Sequence, residues 1–584
     1  MYSPIPLLKK RSVWGDALAL ATLAITIYAM MFVARQWSGE LRSTAPIDLG
    51  IHNLPLYSLY SLFRALAAYG ISFIFSIVVG YAAAKTEIGE RFILPLLDIG
   101  QSIPVLGFMP GLVLGLVGIF PNSNFGLELA CVLLIFTGQV WNMTFSFYSS
   151  LKSIPVNFLE VSQIVGLSRW KRLLRIELPA SATGLAWNSL VSMAGGWFFL
   201  TVCESFSLGK NDFRLPGLGS YMSLAIERGH TPAIISGIVA MVIVIVVVDF
   251  FLWRPIIAWT RKFQMDDQGD VTQEIPFVTL LLRESTVVQR ILNFLKTIHF
   301  RRAPEIAAKA KKRKKNKIEE ALLPFNIFAI LTPNQRRTLN TKLLNLLVVL
   351  FLLWVLTRVW ELIRPLTFAD YEIIFQGTFY TTLRVFAAIV IASIWAVPAG
   401  ILIGLSPRMT RFLQPIIQVA ASFPAPMIYP LVIAATQYFG MNLGFGSVIL
   451  MLLGVQWYIL FNVLAGSIGI SRELRDHLKL VGVSRIARWK HLYLPSVFPA
   501  LVTGWVTAAG GAWNASIIAE YIQYKGDLLR TNGLGALISE ATATGNYHFL
   551  AGCLLMMVTV VVGLNRSLWK ALFQIAQTKY RFER

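Results

Sequence analysis

The sequence has few charged residues for a chain of its length. Of its 584 residues only 14% are Asp, Glu, Lys or Arg, whereas soluble proteins carry about 25%. Hydrophobic residues make up 56%. They occur in blocks of about 20, the length that crosses a bilayer as a helix. An ordinary soluble domain is therefore excluded, and the composition predicts an all-α polytopic membrane protein.

Residue types that carry catalysis or bind metals are also scarce. Cys131, Cys203 and Cys553 lie in or at the ends of apolar blocks, so we expect small buried side chains rather than disulfides. The six histidines are scattered, which does not fit a metal site. A phosphate loop ending in Gly209-Lys210 would need Gly where Glu204 stands. We therefore expect a non-catalytic chain with no cofactor of its own.

Acidic residues are outnumbered by basic ones, 30 to 52, which gives a formal net charge of +22. Nucleic-acid binding is one explanation of such a charge. The basic residues, however, fall on one side of the predicted spans, which is typical of cytoplasmic loops near anionic lipid. We therefore expect contact with membrane lipids and no nucleic acid.

The apolar blocks predict about twelve membrane spans. They lie near residues 14–33, 60–84, 104–120, 128–147, 183–203, 233–253, 343–361, 382–405, 416–437, 447–467, 499–519 and 549–569. The first block is too long for a signal peptide and lacks an obvious small-residue cleavage site, so we interpret it as an uncleaved span. Because the even-numbered loops carry the basic clusters, both termini are predicted to be cytoplasmic.

The two halves of the chain repeat each other, with matching residues in the same order. The pairs include Arg64 with Arg384, Gly80 with Gly400, Trp141 with Trp457, Gly166 with Gly482, Pro179 with Pro495 and Glu204 with Glu520. Both copies place their charged loop on the same side, so two six-helix repeats run in parallel. The predicted segments are a first span and loop at 1–56, a first repeat at 57–255, a basic linker at 256–341, a seventh span and loop at 342–376, and a second repeat with the C-terminal tail at 377–584.

The linker contains a strongly basic run, Arg301 to Lys317, with nine basic residues against one Glu. Such a run repels itself and is typical of a disordered tether. Contact with anionic headgroups and docking of a regulatory partner both remain open for it.

One charged stretch occurs in each half, at Glu160–Pro179 and at Asp476–Pro495. Each copy has an acid, a Gly six residues later, a Ser two residues beyond it, a basic cluster and Leu-Pro. The positive-inside rule requires basic residues but no fixed geometry. We therefore interpret the two copies as a repeated functional part.

The first copy predicts a compact pair of helices on the cytoplasmic surface. Gly166 is suited to end one helix in the left-handed conformation. Ser168 can cap a second helix that starts with Arg169. Pro179 can occupy the first turn of the next span, where no amide donor is needed. Gly482, Ser484, Arg485 and Pro495 repeat this plan in the second half.

These stretches resemble the Glu-Ala-Ala loop of binding-protein-dependent ABC importer permeases. That pattern has an acid, two small residues, three more residues, Gly and a later Leu-Pro. The chain also resembles the nitrate, sulfonate, taurine and bicarbonate branch in its Gly217-Leu218-Gly219 and Gly533-Leu534-Gly535 segments. It is most similar to duplicated, single-chain permeases of anion transport systems. Because His477-Leu478 replaces the small residues in the second loop, we expect the first loop to fit the pattern better.

The resemblance implies a type I ABC importer permease fold in a bacterial cytoplasmic (inner) membrane. It implies that the loops dock into two separate ATP-binding cassette subunits, which carry ATP and Mg, and that an external solute-binding protein delivers a small anionic solute. Closure of those subunits would then push the loops together and rock the halves between two openings. The implied coupling residues are Glu160, Gly166, Ser168, Arg169, Asp476, Gly482, Ser484 and Arg485.

Polar residues in or beside the apolar spans are candidates for a solute path. They are Arg64, Arg384, Gln139, Asn142, Gln456, Asn188 and Asn514. Hydrogen bonding between helices is the alternative. A second set at the outer face is a candidate surface for the binding protein, although its two acids could instead pair with an arginine. This set is Glu204, Glu520, Gly217, Gly219, Gly533 and Gly535.

Other functions remain open from the sequence alone. An ion-coupled secondary transporter or channel would need buried carboxylates or broken helices at the bilayer midplane. Few acids lie within the predicted spans, and Asp249 is near the inner end of one. A permease for another solute such as iron, and a scaffold that recruits partners through the basic linker, are further alternatives.

Overall fold

A computed structural model of the chain describes residues 47–263 except 103, 209 and 210, together with residues 350, 353, 354 and 356–579. The predicted span near 14–33, much of the one near 343–361 and the basic run at 301–317 lie outside the described residues.

The chain divides into two compact units. One comprises Met1–Phe32 and Asp270–Pro365, and the other comprises Val33–Gly269 and Leu366–Arg584. In the first unit residues 356–363 are helical, and Arg358 pairs with Glu361 at 2.8 Å. The second unit contains the described residues of both repeats.

The first repeat starts with a long apolar helix that has Pro55 in its first turn and ends before extended Thr86. Its helices are α1 Leu54–Lys85, α2 Glu87–Ser102, α3 Val105–Ile119, α4 Phe125–Lys152, α5 Val156–Ile164, α6 Arg169–Arg172, α7 Leu178–Cys203, α8 Leu218–Glu227, α9 Thr231–Val248 and α10 Arg254–Thr260. Short 3-10 turns lie at Ile51–Asn53 and Arg261–Phe263, and π-helical turns lie at Leu173–Glu177 and Asp249–Trp253.

The second repeat follows the same order. Its helices are α11 Phe368–Leu405, α12 Pro407–Ser422, α13 Tyr429–Tyr438, α14 Leu443–Ile468, α15 Arg472–Leu480, α16 Arg485–Arg488, α17 Leu494–Ala519, α18 Leu534–Thr544, α19 Tyr547–Leu564 and α20 Lys570–Lys579. A 3-10 turn lies at Ala425–Ile428, and π-helical turns lie at Trp489–Tyr493 and Asn565–Trp569. These π turns stand at the positions equivalent to those of the first repeat, so the repeat extends to local backbone geometry.

Eight of the described helical segments are long and apolar enough to cross a membrane. Two predicted spans differ from this pattern. The helix near 104–120 has only 15 residues, fewer than the usual span of about 20. The span predicted near 416–437 is instead a pair of helical segments bent by 81°. The bend falls at extended Phe423, because the following Pro424 disfavours a helical conformation there.

Each repeat also carries a β-hairpin, directly after α7 in the first repeat and directly after α17 in the second. β1 Ser205–Leu208 pairs with β2 Asn211–Arg214, and β3 Tyr521–Tyr524 pairs with β4 Asp527–Arg530, both antiparallel. The all-α prediction did not include these hairpins. Strands of four residues offer too short an alternation to be detected in the sequence.

The core of each repeat is a packed trio of helices, α1, α4 and α7 in the first and α11, α14 and α17 in the second. Small residues let these helices approach closely. A Cβ on Gly80 would lie 3.0 Å from Phe147 Cδ1, and one on the equivalent Gly400 would lie 2.9 Å from Val463 Cγ1. Close approach of helices at glycine positions is typical of helix packing in membranes.

The two repeats meet through equivalent elements. Helix α9 contacts α12, and correspondingly α19 contacts α2. Across the first of these junctions the buried Asp249 accepts a hydrogen bond from Gln418, and it also pairs with Arg254 at 2.9 Å. The pseudo-twofold arrangement agrees with a parallel repeat.

Candidate functional site

The charged stretch of the first repeat forms two short helices joined at a left-handed glycine. Helix α5 is followed by Gly166 at φ 69°. The amide of Gly166 donates to the Gln163 carbonyl at 2.9 Å, one of the groups that a helix end leaves without a partner. Ser168 then caps α6 by accepting from the amide of Lys171 at 3.4 Å. The predicted local geometry of this stretch is confirmed.

The second copy has the same backbone geometry. Gly482 has φ 75°, and its amide donates to the Lys479 carbonyl at 3.1 Å. Ser484 accepts from the amide of Ala487 at 3.3 Å. We name the two stretches, Val156–Arg172 and Arg472–Arg488, coupling loop 1 and coupling loop 2, after the role that the resemblance implies.

Each coupling loop is continuous with a core helix. The segments Arg169–Cys203 and Arg485–Ala519 are unbroken helices of 35 residues, with one π turn in each. Pro179 and Pro495 lie in the first turns of α7 and α17, as predicted. A displacement of either loop would therefore move the core helix with it.

Both coupling loops expose apolar side chains. Ile164 and Trp170 are 84% and 67% exposed in loop 1, and Leu480 and Ile486 are 86% and 82% exposed in loop 2. Charged residues surround them, and all four charged residues predicted for coupling are exposed: Glu160, Arg169, Asp476 and Arg485. Exposed apolar groups with a polar rim are typical of a protein interface.

The acid of coupling loop 2 has a local partner. Asp476 lies 2.9 Å from Lys479, and this hydrogen bond and the lysine charge lower the pKa of the Asp476 carboxyl. The carboxylate is therefore ionised at neutral pH and remains on the exposed surface.

At the opposite end of the core helices, Arg64 lies in a buried ion-pair cluster. Its guanidinium lies 2.6 Å from Glu128 and 2.7 Å from Glu204. Glu204 also accepts from the hydroxyl of Ser61 and the amide of Gly219, each at 2.7 Å. We call this group outer cluster 1. It joins α1, α4, the end of α7 and the start of α8.

The equivalent outer cluster 2 has one carboxylate fewer. Arg384 lies 2.8 Å from Glu520, which also accepts from Thr381 and from the amide of Gly535 at 2.9 Å each. The other terminal nitrogen of the Arg384 guanidinium, Nη2, donates to the hydroxyl of Thr531 at 3.0 Å. Gly444 stands where the first repeat has Glu128.

The Gly-Leu-Gly segments wrap around these carboxylates. A Cβ on Gly217 would lie 2.4 Å from Glu204 Oε2, and one on Gly533 would lie 2.2 Å from Glu520 Oε2. Gly219 and Gly535 donate their amides to the same two acids. Glu204 and Glu520 are fully buried. Of the two interpretations open for these acids, the structure therefore supports pairing with an arginine.

A central cavity of about 190 Å³ lies between the two repeats. Core helices α7 and α17 contribute Leu190, Ala194, Thr507 and Gly510 to its wall. No Asp, Glu, Lys, Arg or His lines it among the residues that the structure describes. Its polar lining consists of neutral amide, hydroxyl and indole groups.

Only two of the predicted path residues, Asn142 and Asn514, line this cavity. Asn514 also joins the repeats, because its side chain accepts from the amide of Val105 at 2.9 Å. The others lie elsewhere: Arg64 and Arg384 in the outer clusters, Gln139 buried against Ser72 and Met193, Asn188 bonded to Ser146, and Gln456 half-buried on α14.

Sequence reasoning missed several cavity residues. Trp141 and Trp457 both line it, and they were recognised only as an equivalent pair. Tyr458, Thr507 and Gln418 were not singled out, although they also line it. The only sequence signal for these cavity residues was that Trp141 and Trp457 occupy equivalent positions in the two repeats.

Two parallel helical repeats, each with an exposed loop continuous with a core helix beside a shared cavity, define a membrane permease. The chain belongs to the family described as binding-protein-dependent transport system inner membrane component. This family matches residues 72–253 and 396–568, which together exceed half of the chain. The family expected from the two coupling loops is thereby confirmed.

Curated relatives include three permease proteins. The taurine transport system permease protein of Escherichia coli is 26% identical over 187 residues, 32% of this chain and 64% of the relative. The nitrate import permease protein of Leptolyngbya laminosa is 27% identical over 175 residues, which are 29% of this chain and 59% of the relative. The bicarbonate transport system permease protein of Synechococcus elongatus is 23% identical over 203 residues, which are 35% of this chain and 66% of the relative. The chain spans less than two thirds of each of these relatives.

Proposed function

We propose that this chain is the transmembrane permease subunit of an ATP-driven importer, with both permease halves in one polypeptide. It lies in a bacterial cytoplasmic membrane, with both termini and both coupling loops in the cytoplasm. The observation that carries the proposal is the pair of exposed coupling loops, each rigidly continuous with a helix that lines the central cavity. Family membership supports it.

The mechanism follows from this continuity. Two ATP-binding subunits, which carry ATP and Mg, each receive one coupling loop through apolar residues such as Ile164 and Leu480. Closure of these subunits moves the loops toward each other. Because α7 and α17 extend the loops without a break, the cavity changes the side to which it opens. The chain itself is non-catalytic, and ATP is hydrolysed on the partner subunits.

The proposed solute is a small anion that an external binding protein delivers. The names of the relatives, which are permeases for taurine transport, nitrate import and bicarbonate transport, support this class. The size of the cavity, about 190 Å³, also fits a small solute. Its neutral donors, including Asn142 and the indoles of Trp141 and Trp457, would hold an anion weakly. Weak binding suits a transit site, since a solute must also leave it.

Co-purification tests the assembly. The chain is expressed together with the ATP-binding subunits that are proposed as its partners, and it is purified through a tag on the chain alone. We expect two ATP-binding subunits per chain. A variant with Ile164→Asp and Trp170→Asp should lose one of them, because charges replace the exposed apolar contacts. Recovery of the chain without any ATP-binding subunit would contradict the proposal.

A further inference from the structure

A buried carboxylate lies at the base of coupling loop 1. Glu177 has no exposed side-chain surface, and it lies in the π turn that joins α6 to α7. Its carboxylate is 2.8 Å from Lys85 Nζ and 3.2 Å from Arg172 Nε. The two cations are 22% and 19% exposed, so the whole group is largely withdrawn from solvent. We name it the loop 1 ion cluster.

The three residues belong to three different elements. Lys85 is the last residue of core helix α1, Arg172 is the last residue of α6, and Glu177 directly precedes core helix α7. One carboxylate therefore joins the coupling loop to two of the three helices of the core trio. Since removing a charge from water is costly, such a buried group is stable only while it is paired.

The second repeat lacks this cluster. Its equivalent positions hold Leu405, Arg488 and Tyr493 instead of Lys85, Arg172 and Glu177. The arginine remains, and its Nε, like that of Arg172, is buried without a hydrogen-bond partner among the described residues. What the second repeat lacks is the carboxylate with which Arg172 forms an ion pair. The carboxylate is thus a feature of coupling loop 1 alone.

Coupling loop 2 is nevertheless attached at the same point by another group. Arg475 on α15 donates to the carbonyl of Leu405, the last residue of α11, at 2.9 Å. Leu405 is the equivalent of Lys85, whereas the residue equivalent to Arg475 in the first repeat is Leu159. Both loops are therefore tied to the end of the first core helix of their repeat, through unrelated chemistry. Because two different interactions hold each coupling loop to the end of α1 or α11, we infer that the fold requires this connection.

We propose that Glu177 is a positioning residue for energy coupling, one that makes coupling loop 1, α1 and α7 move as a single body. The inference rests on the proposed function. Coupling loop 2 is held at the same point by a hydrogen bond to a backbone carbonyl, which does not depend on a buried carboxylate. Loss of Glu177 then lets coupling loop 1 and α7 move without α1, so that ATP is hydrolysed while less solute crosses the membrane.

The test uses the full transporter, the chain with its ATP-binding subunits and binding protein, in proteoliposomes. Uptake of labelled nitrate, taurine or bicarbonate is divided by ATP hydrolysed. We expect Glu177→Gln to lower this ratio about fivefold or more, because breaking a buried ion pair leaves an uncompensated charge. Tyr493→Phe, at the equivalent position of the second repeat, should leave the ratio unchanged.

A double variant separates coupling from folding. Lys85→Met with Glu177→Gln removes both members of the closest pair and leaves Arg172 as the single cation, as Arg488 is in the second repeat. One unpaired charge remains instead of two, so the double variant should recover part of the stability that the single variant loses. The tie between α1 and the loop is still lost, so the ratio should stay low. Restoration of the ratio by the double variant, or an unchanged ratio in the single variant, would overturn the inference.

A measurement without transport decides the case independently. Spin labels at Thr86→Cys and Gln163→Cys report the distance between the end of α1 and coupling loop 1 in the chain alone. Labels at Ser406→Cys and Lys479→Cys report the equivalent distance in the second repeat. We expect Glu177→Gln to broaden only the first distribution. An unchanged first distribution would overturn the inference, whereas absent ATP-dependent uptake by the unmodified complex would contradict the proposed function instead.

Discussion

The amide of Lys525 donates a hydrogen bond to the carbonyl of Ile226 at 3.2 Å, so the hairpin of the second repeat rests on a helix of the first. The equivalent contact exists in the other direction, because β1 contacts α18. The hairpins follow the ends of α7 and α17 that lie farthest from the coupling loops. They therefore join the two repeats at the end of the core helices opposite the coupling loops.

This contact predicts a reversible lock. A Cβ on Gly229 would lie 3.8 Å from the Cβ of Lys525, within the range of about 3.5–4.5 Å found in disulfides. We expect the Gly229→Cys, Lys525→Cys pair to cross-link on oxidation and to stop uptake, because the outer ends of the repeats can no longer separate. Reduction should restore uptake.

The single variants are the controls for this lock. Gly229 has φ 61°, so a cysteine there carries a strain of about 1 kcal/mol, which the single variant measures by itself. The native Cys131, Cys203 and Cys553 are buried and should not react. Full cross-linking with undiminished uptake would show that the hairpin contact need not open.

The left-handed glycines predict a graded response in the coupling loops. No atom lies within 4 Å of a Cβ added to Gly166, so a substitution there meets backbone strain and not a clash. We expect Gly166→Val to reduce co-purified ATP-binding subunit, since a β-branched residue tolerates φ 69° poorly. Gly166→Asn should retain it, because Asn adopts this conformation more readily. Equal recovery with both variants would contradict a fixed loop geometry.

The outer clusters predict unequal stabilities. Arg64 is buried between two carboxylates, whereas Arg384 is 13% exposed and pairs with one. We expect Arg64→Met to cost about 3–5 kcal/mol, the range for breaking a buried pair. Arg384→Met should cost less, because it strands one acid instead of two. Thermal unfolding in detergent measures both, and equal losses would argue against the second carboxylate as the cause.

The cavity predicts which asparagine matters for transport. Asn142 lines the cavity, whereas Asn188 bonds to Ser146 and does not line it. We expect Asn142→Leu to lower the uptake rate with ATP-binding subunits still bound. Asn188→Ala should cost only about 0.6 kcal/mol of stability, typical of a hydrogen bond between membrane helices. Loss of uptake in Asn188→Ala alone would place the solute path elsewhere.

The coupling loops were the part of the molecule most accessible from the sequence. Gly166, Ser168 and Pro179 act locally, since each requires a particular backbone conformation or a missing donor, and their repetition at Gly482, Ser484 and Pro495 removed ambiguity. The arrangement as two parallel repeats could also be predicted, because matching residues of the two halves are separated by a nearly constant number of positions.

The orientation of polar side chains could not be predicted. Whether Arg64 or Asn142 faces a cavity or a neighbouring helix depends on the rotation of each helix, which packing of several helices decides. Glu177 was likewise hidden, because its partner Lys85 is 92 positions away in the sequence. The bend at Phe423 and the two hairpins depend on short segments with no periodic pattern.

ATP-dependent uptake by purified proteoliposomes tests the central claim most directly. The complex of this chain with its ATP-binding subunits and solute-binding protein is reconstituted, and labelled nitrate, taurine and bicarbonate are offered in turn. The account predicts accumulation of one such anion that requires ATP hydrolysis and the binding protein, with none from the chain alone. Sustained flux through the chain alone, without ATP, would contradict it and favour an ion-coupled transporter or a channel.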